Sequence, residues 1–396
     1  MKTTAIICEF DPLHKGHEHL IREARRAGAE CIVCVMSGAF CQRAEPSSIG
    51  KHTRAHAALS AGADIVLELP FPYSCASAEF FALGAMSVIG GLGCVDTLAF
   101  GCESGDAAML EEAAVRMCSA EFAAQYELDS SEHTSIGTAA LIEGCYVKLW
   151  GDTDIFRGAN NVLALEYIKA AHRAGMHLHY HAVKRQGAAH NSSEDAGGFS
   201  SASLIREKLR EGQRDVRRHL PESTHDIIEK ELTTLRSMPA LARAERAILA
   251  HFRLAEETPC TAESGGGLGH RIADAARRAR SYEQMMTFAK TKKYTDARIR
   301  RAIIFAMCGV RDVDLHRTPT YTTLLAANER GRALLSSCKK TRRIEVLSSP
   351  SALSTLPESS AREILLRERA ESLRSICTDE IGEHDATLRT PPVILK

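Results

Sequence analysis

Over the first 215 positions, short unbroken apolar runs alternate with longer stretches in which apolar residues recur at helical spacing. Runs at 3 to 8, 31 to 36, 65 to 69, 95 to 100 and about 177 to 184 predict strands, and the segments between them predict helices, among them an amphipathic one over Glu18 to Arg25. Apolar runs without alternation belong to parallel strands covered on both faces. The order therefore predicts an α/β fold, a doubly wound parallel sheet whose ligands bind beyond the carboxyl ends of the strands. After about residue 215 the pattern is mainly helical, with helices expected at 222 to 236, 240 to 253, 268 to 279, 281 to 290 and 295 to 308. Two domains follow, 1–215 and 216–396. Pro259 and Gly265-Gly266-Gly267 make residues 258 to 269 a loop expected to be mobile, a smaller mixed piece follows Pro319, and the end from about 380 is expected to be loosely held.

Composition adds little until charge is divided along the chain. At 396 residues, 44% hydrophobic and 25% charged, the chain is an ordinary globular one with room for two cores. No run of eighteen apolar residues occurs and the first residues lead straight into a strand, so a cytoplasmic location is expected. The 13 cysteines are scattered and odd in number, which favours reduced, buried thiols. Cys31 and Cys34 lie in a strand-like run with no second pair at zinc spacing, and His177, His179 and His181 fit a solvated or partly buried strand face, so no metal site is assigned to them. Net charge is zero, yet residues 1–215 hold 19 Lys+Arg against 27 Asp+Glu, and the remainder 31 against 23. A basic C-terminal half is the footprint of a polyanion-binding surface attached to a catalytic unit.

The chemistry starts where the first strand ends. Thr4 to Cys8 runs into Glu9-Phe10-Asp11-Pro12-Leu13-His14-Lys15-Gly16-His17 and then a helix. Two histidines flanking a glycine at a strand-to-helix turn can face one phosphate, because Gly16 permits close approach and a helix amino end favours an anion. A bare His-x-Gly-His also fits a surface turn; its place after a parallel-type strand favours ATP and transfer at the α-phosphate. His14 and His17 would then stabilise charge in the transition state, and a carboxylate nucleophile would need no base. The loop Met36 to Pro46 follows the second strand, where Gly38 would allow an unusual backbone angle and Gln42, Arg43 and Lys51 offer donors for a carboxylate or phosphate; an ordinary polar loop fits equally well. Gly101, in Phe100-Gly101-Cys102-Glu103, would leave room for adenine or ribose, and Asn160-Asn161 open a helix as caps or as nucleotide contacts. Lys184-Arg185 and Ser200-Ser201-Ala202-Ser203-Leu204-Ile205-Arg206 read as a capping turn or as a phosphate clamp. The latter resembles the second signature of HIGH-type nucleotidylyltransferases, where a serine-rich turn and an arginine embrace the β- and γ-phosphates.

In order and spacing, Ile7 to His17, the Met36 to Pro46 loop, Ala63 to Pro70, Ala78 to Ala82, Phe100 to Glu103, Asn160 to Tyr167, Ser201 to Arg206 and Lys290 to Thr295 resemble the tRNA(Met) cytidine acetate ligase family, over most of residues 3 to 335. The resemblance implies a Rossmann-like HIGH nucleotidylyltransferase domain over 1–215 and a tRNA-binding domain over 216–396. It implies a two-step reaction, in which acetate and ATP give acetyl-adenylate and pyrophosphate, and the wobble cytidine of elongator tRNA(Met) then takes the acetyl group as N(4)-acetylcytidine. It implies ATP contacts from Ile7, Cys8, Glu9, Phe10, Asp11, Pro12, Leu13, His14, Lys15, Gly16, His17, Glu18, His19 and Leu20, with Gly101, Asn160, Arg185 and Ser201, and catalysis by His14, His17 and Arg206. Magnesium would accompany the triphosphate. The family usually has Tyr-Asn-Pro-Phe at Phe10-Asp11-Pro12-Leu13 and Arg-Gly-Glu-Pro at Arg43-Ala44-Glu45-Pro46, so Asp11 is expected to add negative charge near the phosphates.

Residues 277 to 301 carry nine cations against Glu283 and Asp296, an excess of seven positive charges, which independently supports an RNA partner. Lys292, Lys293 and Arg298 are expected to bind tRNA. Tyr294 is expected either to stack on an unpaired base or to end a helix half-buried, and the cations from Arg330 to Arg343 are expected to extend the surface. Two rivals use fewer of these features: an adenylyltransferase making a dinucleotide cofactor, and a non-catalytic RNA-binding or nucleotide-sensing protein.

Overall fold

The computed structural model describes residues 1–132, 137–151, 154–185, 202–213, 216–236, 238–256, 261–384 and 386–395. Eight strands among them, β1 (Thr3–Cys8), β2 (Cys31–Ser37), β3 (Ile65–Leu69), β4 (Thr97–Cys102), β5 (His179–Lys184), β6 (Tyr321–Ala327), β7 (Glu345–Leu347) and β8 (Val393–Ile394), form one sheet. Its order is β5-β4-β1-β2-β3-β6-β7, with β8 beside β6. β1 to β5 are mutually parallel, as their apolar runs require. Every residue of β2 is buried. Val33 and Val35 face helices Ala78–Leu92 and Ala159–Arg173, while Ile32, Cys34 and Met36 face Lys15–Arg26 and Lys51–Ser60. The winding direction reverses between β1 and β4, which opens a crevice at their carboxyl ends.

The helices expected beyond residue 215 form at His225–Thr234, Glu245–Leu254, Leu268–Arg278, Tyr282–Ala289 and Asp296–Cys308. Three expectations about this half need correction. Its core, built from residues such as Ile248, Phe252, Ile303 and Leu373, also contains Phe40 and Phe71 from the first half, so the two halves share apolar packing. The C-terminal segment returns to the sheet, where β6 runs antiparallel to β3 with Ala327 opposite Ile65. The tail is tied down as well, since β8 pairs Val393 with Ala326 and Leu388 is buried. Within the expected mobile loop, residues 257–260 lie outside the described residues, but Ala262 is buried and the Glu263 carboxylate lies 3.5 Å from Arg301.

Because β6 is antiparallel, it carries the following helix, Glu329–Ser337, to the amino ends of the parallel strands, where Asn328 donates from its backbone N–H to the Asp64 carbonyl. Arg330 lies there beside Glu30 and Asp64. The cations from Arg330 to Arg343 therefore sit at the opposite end of the sheet from the crevice and do not extend a surface around it. No described helix is long and apolar enough to cross a membrane.

Candidate active site

A cavity of about 510 Å³ fills the crevice, a size typical of small-molecule and cofactor sites. Its walls come from the ends of β1, β4 and β5, the first turns of the helices Lys15–Arg26 and Ala159–Arg173, the loop after β2, and the helix Ala202–Arg210. Of the expected nucleotide contacts, Ile7, Cys8, Glu9, Phe10, Asp11, His14, Gly16, His17, His19, Leu20, Gly101, Asn160 and Arg185 line it, together with Arg206, Gln42 and Arg43. Pro12, Leu13, Lys15 and Glu18 are not in the wall, and Ser201 lies outside the described residues. Sequence reading missed Phe81, Val162, Leu163 and Tyr167, whose helical apolar spacing reads as plain core.

The two histidines are set by the helix they begin. His14 is the N-cap: its Nδ1 accepts the Gly16 N–H at 3.1 Å, and His17 Nδ1 accepts the His14 N–H at 3.3 Å. The rings stack, with centroids 3.7 Å apart and planes 20° from parallel. Because each Nδ1 is an acceptor, each ring's proton sits on Nε2, which leaves two parallel Nε2–H donors at a helix amino end. Burial, then Arg185 and Arg206, lowers the His14 pKa to about 3. His17 falls well below the ordinary imidazole value through burial first, then through His14 and the same two arginines. Both rings are thus neutral donors. Arg206 points its guanidinium along the same wall, donating to the Asp11 carbonyl at 2.8 Å and to Ser203 Oγ at 3.4 Å.

The carboxyl ends of β1 and β2 are clamped by Arg54, which is 1% exposed and donates to the carbonyls of Glu9, Ser37, Gly38 and Ile49. Asp11 does not offer its carboxylate to the cavity as expected. It accepts the N–H groups of Ser48 at 2.9 Å and Ile49 at 3.0 Å and so organises the following loop. Lys51 is likewise misplaced as a ligand donor: its ammonium is buried, bonded to Glu68 at 2.8 Å and Glu371 at 2.5 Å, with Arg367 3.3 Å from Glu68. Gly38 is required because a Cβ there would collide with the Glu68 carboxylate, and its φ is not in the left-handed region. Ala44 is in that region, at φ +58°, which glycine adopts without strain. Ala44→Gly is therefore expected to raise stability by about 1 kcal/mol in urea denaturation, and an unchanged midpoint would mean that the loop relaxes without strain.

Beyond the end of β4, Glu103 caps the Ala159–Arg173 helix, accepting from Asn160 Nδ2 at 2.6 Å and from the Asn161 N–H at 2.8 Å. Gly158, at φ +95°, leaves space for that carboxylate. Asn161 is 1% exposed and its side chain accepts the N–H groups of Glu103 and Ser104, so Asn160 is the one presented to the cavity.

The helical half meets the cavity at its rim. Arg301 is buried, donating to the carbonyls of Cys75 and Gln42, and Arg300 donates to the carbonyl of Arg43. Arg301 is thus structural, while Arg300 stays partly exposed at the rim. From Glu45, which Arg210 approaches to 2.8 Å and Arg300 to 3.6 Å, a groove of about 420 Å³ runs past Tyr282, Met286 and Lys290. Lys290 in this groove is exposed, as are Arg277, Arg278, Arg280, Lys292 and Lys293. Tyr294 is buried under Arg298, 5.3 Å from its ring centroid, with its hydroxyl donating to Gly266, so it is not free to stack on a base; Phe288, 37% exposed beneath Arg278, is the aromatic that reaches this surface. Among the described residues no group of three or more His, Cys, Asp or Glu side chains is arranged to hold a metal ion.

Comparison with known proteins agrees with this geometry. A family model described as HIGH Nucleotidyl Transferase matches residues 1–387. The chain is 31% identical over 375 residues to a tRNA(Met) cytidine acetate ligase of Fervidobacterium nodosum, covering 92% of this chain and 88% of that one. It is 34% identical over 368 residues to the ligase of that name from Syntrophotalea carbinolica, covering 89% and 86%. A crystal structure of Thermotoga maritima TmcAL bound with alpha-thio ATP superposes with a TM-score of 0.90 at 28% identity over the whole of both chains. By these matches and by its cavity, the chain belongs to the tRNA(Met) cytidine acetate ligase family of HIGH nucleotidyl transferases.

Proposed function

We propose that this protein activates acetate with ATP as acetyl-adenylate and transfers the acetyl group to N4 of the wobble cytidine in elongator tRNA(Met). The observation that carries this reading is the pair of Nε2–H donors on His14 and His17, stacked at a helix amino end and flanked by Arg185 and Arg206. Acetate attacks the α-phosphorus, a P–O bond forms, and pyrophosphate leaves. The histidines stabilise charge growing on the α-phosphate oxygens, and Arg206 with Arg185 neutralises the departing pyrophosphate. Acetate itself is ionised at neutral pH and needs no base, and Gln42 and Arg43 at the rim are the donors suited to its carboxylate. Magnesium would accompany ATP as part of the substrate, carried on the triphosphate.

The functional division stays near residue 215, with activation upstream and RNA binding downstream, and a cytoplasmic location accompanies a tRNA substrate. The groove from Glu45 to the exposed cations favours an RNA acceptor over a dinucleotide product. Incubation with ATP, acetate and unmodified tRNA(Met), followed by nucleoside analysis, should yield N(4)-acetylcytidine and AMP; acetate-independent adenylyl transfer to a mononucleotide would replace this reading with the dinucleotide one. Changing Lys292, Lys293 and Arg298 to Ala should weaken tRNA binding at least tenfold and reduce the slope of log affinity against log salt by about two, with acetate-dependent ATP–pyrophosphate exchange retained. An unaltered salt slope would place the RNA elsewhere.

A further inference from the structure

Acetyl transfer makes a demand that the phosphate donors do not meet. The exocyclic amine of cytidine is conjugated with its ring and weakly basic, so when it attacks the acetyl carbonyl a proton has to leave nitrogen. The acceptor of that proton must line the cavity and keep a lone pair free. His14 and His17 use Nδ1 as helix caps and carry their proton on Nε2, so they donate. Asp11 is 2% exposed with both oxygens engaged. Burial holds the proton on the Cys8 thiol and the Tyr167 phenol, and His19 is engaged with Arg22 and Glu23. Arg43, Lys184, Arg185 and Arg206 are cations. Glu9 remains. Its Oε1 accepts the Gln42 N–H at 2.6 Å, which fixes the carboxylate, and its Oε2 has no hydrogen-bond partner among the described residues. The side chain is partly exposed, in the cavity wall at the end of β1, between the histidine turn and the Gln42-Arg43 rim.

We propose that Glu9 is the proton acceptor of the acetyl-transfer step, an assignment that rests on the ligase reading above. Cytidine N4 bonds to the acetyl carbon, its proton passes to Glu9 Oε2, and the C–O bond to phosphate breaks with AMP leaving as the anion. The surroundings suit the role. Burial raises the proton affinity of Glu9, and the Gln42 N–H and Arg206 temper that rise. Facing it are Arg206 and Arg54 from two helices, Asp11 and Cys41 from the adjoining loops, Cys75, and Tyr167 from the Ala159–Arg173 helix. A base with raised proton affinity, held by one bond and free at the other oxygen, is a better acceptor than a solvated carboxylate.

Glu9→Gln keeps the size and the oxygen that accepts from Gln42, so it removes basicity with little change of shape. Single-turnover transfer from preformed acetyl-adenylate to tRNA should fall about 100- to 1000-fold, a loss at least about tenfold greater than that of acetate-dependent ATP–pyrophosphate exchange. Wild-type transfer should decline toward acid pH as Glu9 takes up a proton. That limb should be missing in Glu9→Gln, and Glu9→Asp should recover part of the rate. Transfer within about threefold of wild type, an acid limb that survives in Glu9→Gln, or an equal loss of exchange and transfer would overturn the assignment. Wild-type exchange that ignores acetate would instead overturn the ligase reading, and the role of Glu9 with it.

Discussion

Replacing His17 with Ala should lower acetate-dependent ATP–pyrophosphate exchange by about 100- to 1000-fold, the loss expected when one preorganised donor to a transition-state anion is removed. His17 supplies one of the two Nε2–H donors, and its Nδ1 also holds the His14 N–H, so the variant loosens its partner ring as well. Loss of that cap should cost about 1 kcal/mol of stability, too little to explain the rate. Binding of tRNA should change less than about twofold, because the exposed cations of the helical half do not line the cavity. Exchange within about threefold of wild type would remove the histidine pair from the mechanism. The depressed pKa values give a second readout. A histidine whose folded pKa lies below its unfolded value contributes stability above about pH 6.5, and that contribution is lost progressively as pH falls from there toward the folded value, about 3 for His14. Urea denaturation of wild type should therefore show declining stability from pH 7 to pH 4, and His14→Gln should show a shallower decline.

Lys51→Met should destabilise the fold by about 3–5 kcal/mol, because it strands the Glu68 and Glu371 carboxylates in the interior with only Arg367 to balance them. The network links β3, the Lys51–Ser60 helix and the C-terminal helix Ala361–Ser375, so the loss should appear as one cooperative shift in the urea midpoint. Burial pushes the Glu68 carboxyl up, but Lys51 and Arg367 outweigh it and hold it below the usual range. Stability from this group is present above its unfolded pKa and fades as acid protonates it, which reinforces the decline expected from the histidines. A variant with wild-type stability and a raised KM for acetate would return Lys51 to the role its position in the sequence suggests.

That contrast marks where sequence reading stops. Lys51 follows a loop at the ligand edge and looks like a donor, yet its partners Glu68 and Glu371 are 17 and 320 residues away. Asp11 lies among the phosphate-binding residues, yet the N–H groups it satisfies belong to Ser48 and Ile49. Tyr294 lies in a basic run, yet its hydroxyl seeks Gly266 and its ring is covered. In each case the residue type announced a polar partner, and only folding decided which one.

The sequence by itself determined the parallel sheet, five of the helices after residue 215 and the position of the histidine turn, since the first two depend on local periodicity and the third on a cap within three residues. It also determined the charge asymmetry and the family. The tertiary structure decided which donors face the cavity, that β6 and β8 join the N-terminal sheet, and that Phe40 and Phe71 belong to the helical core. Those outcomes depend on contacts distant along the chain, whose closure depends on which buried polar groups and apolar faces meet best, and no local pattern encodes that choice.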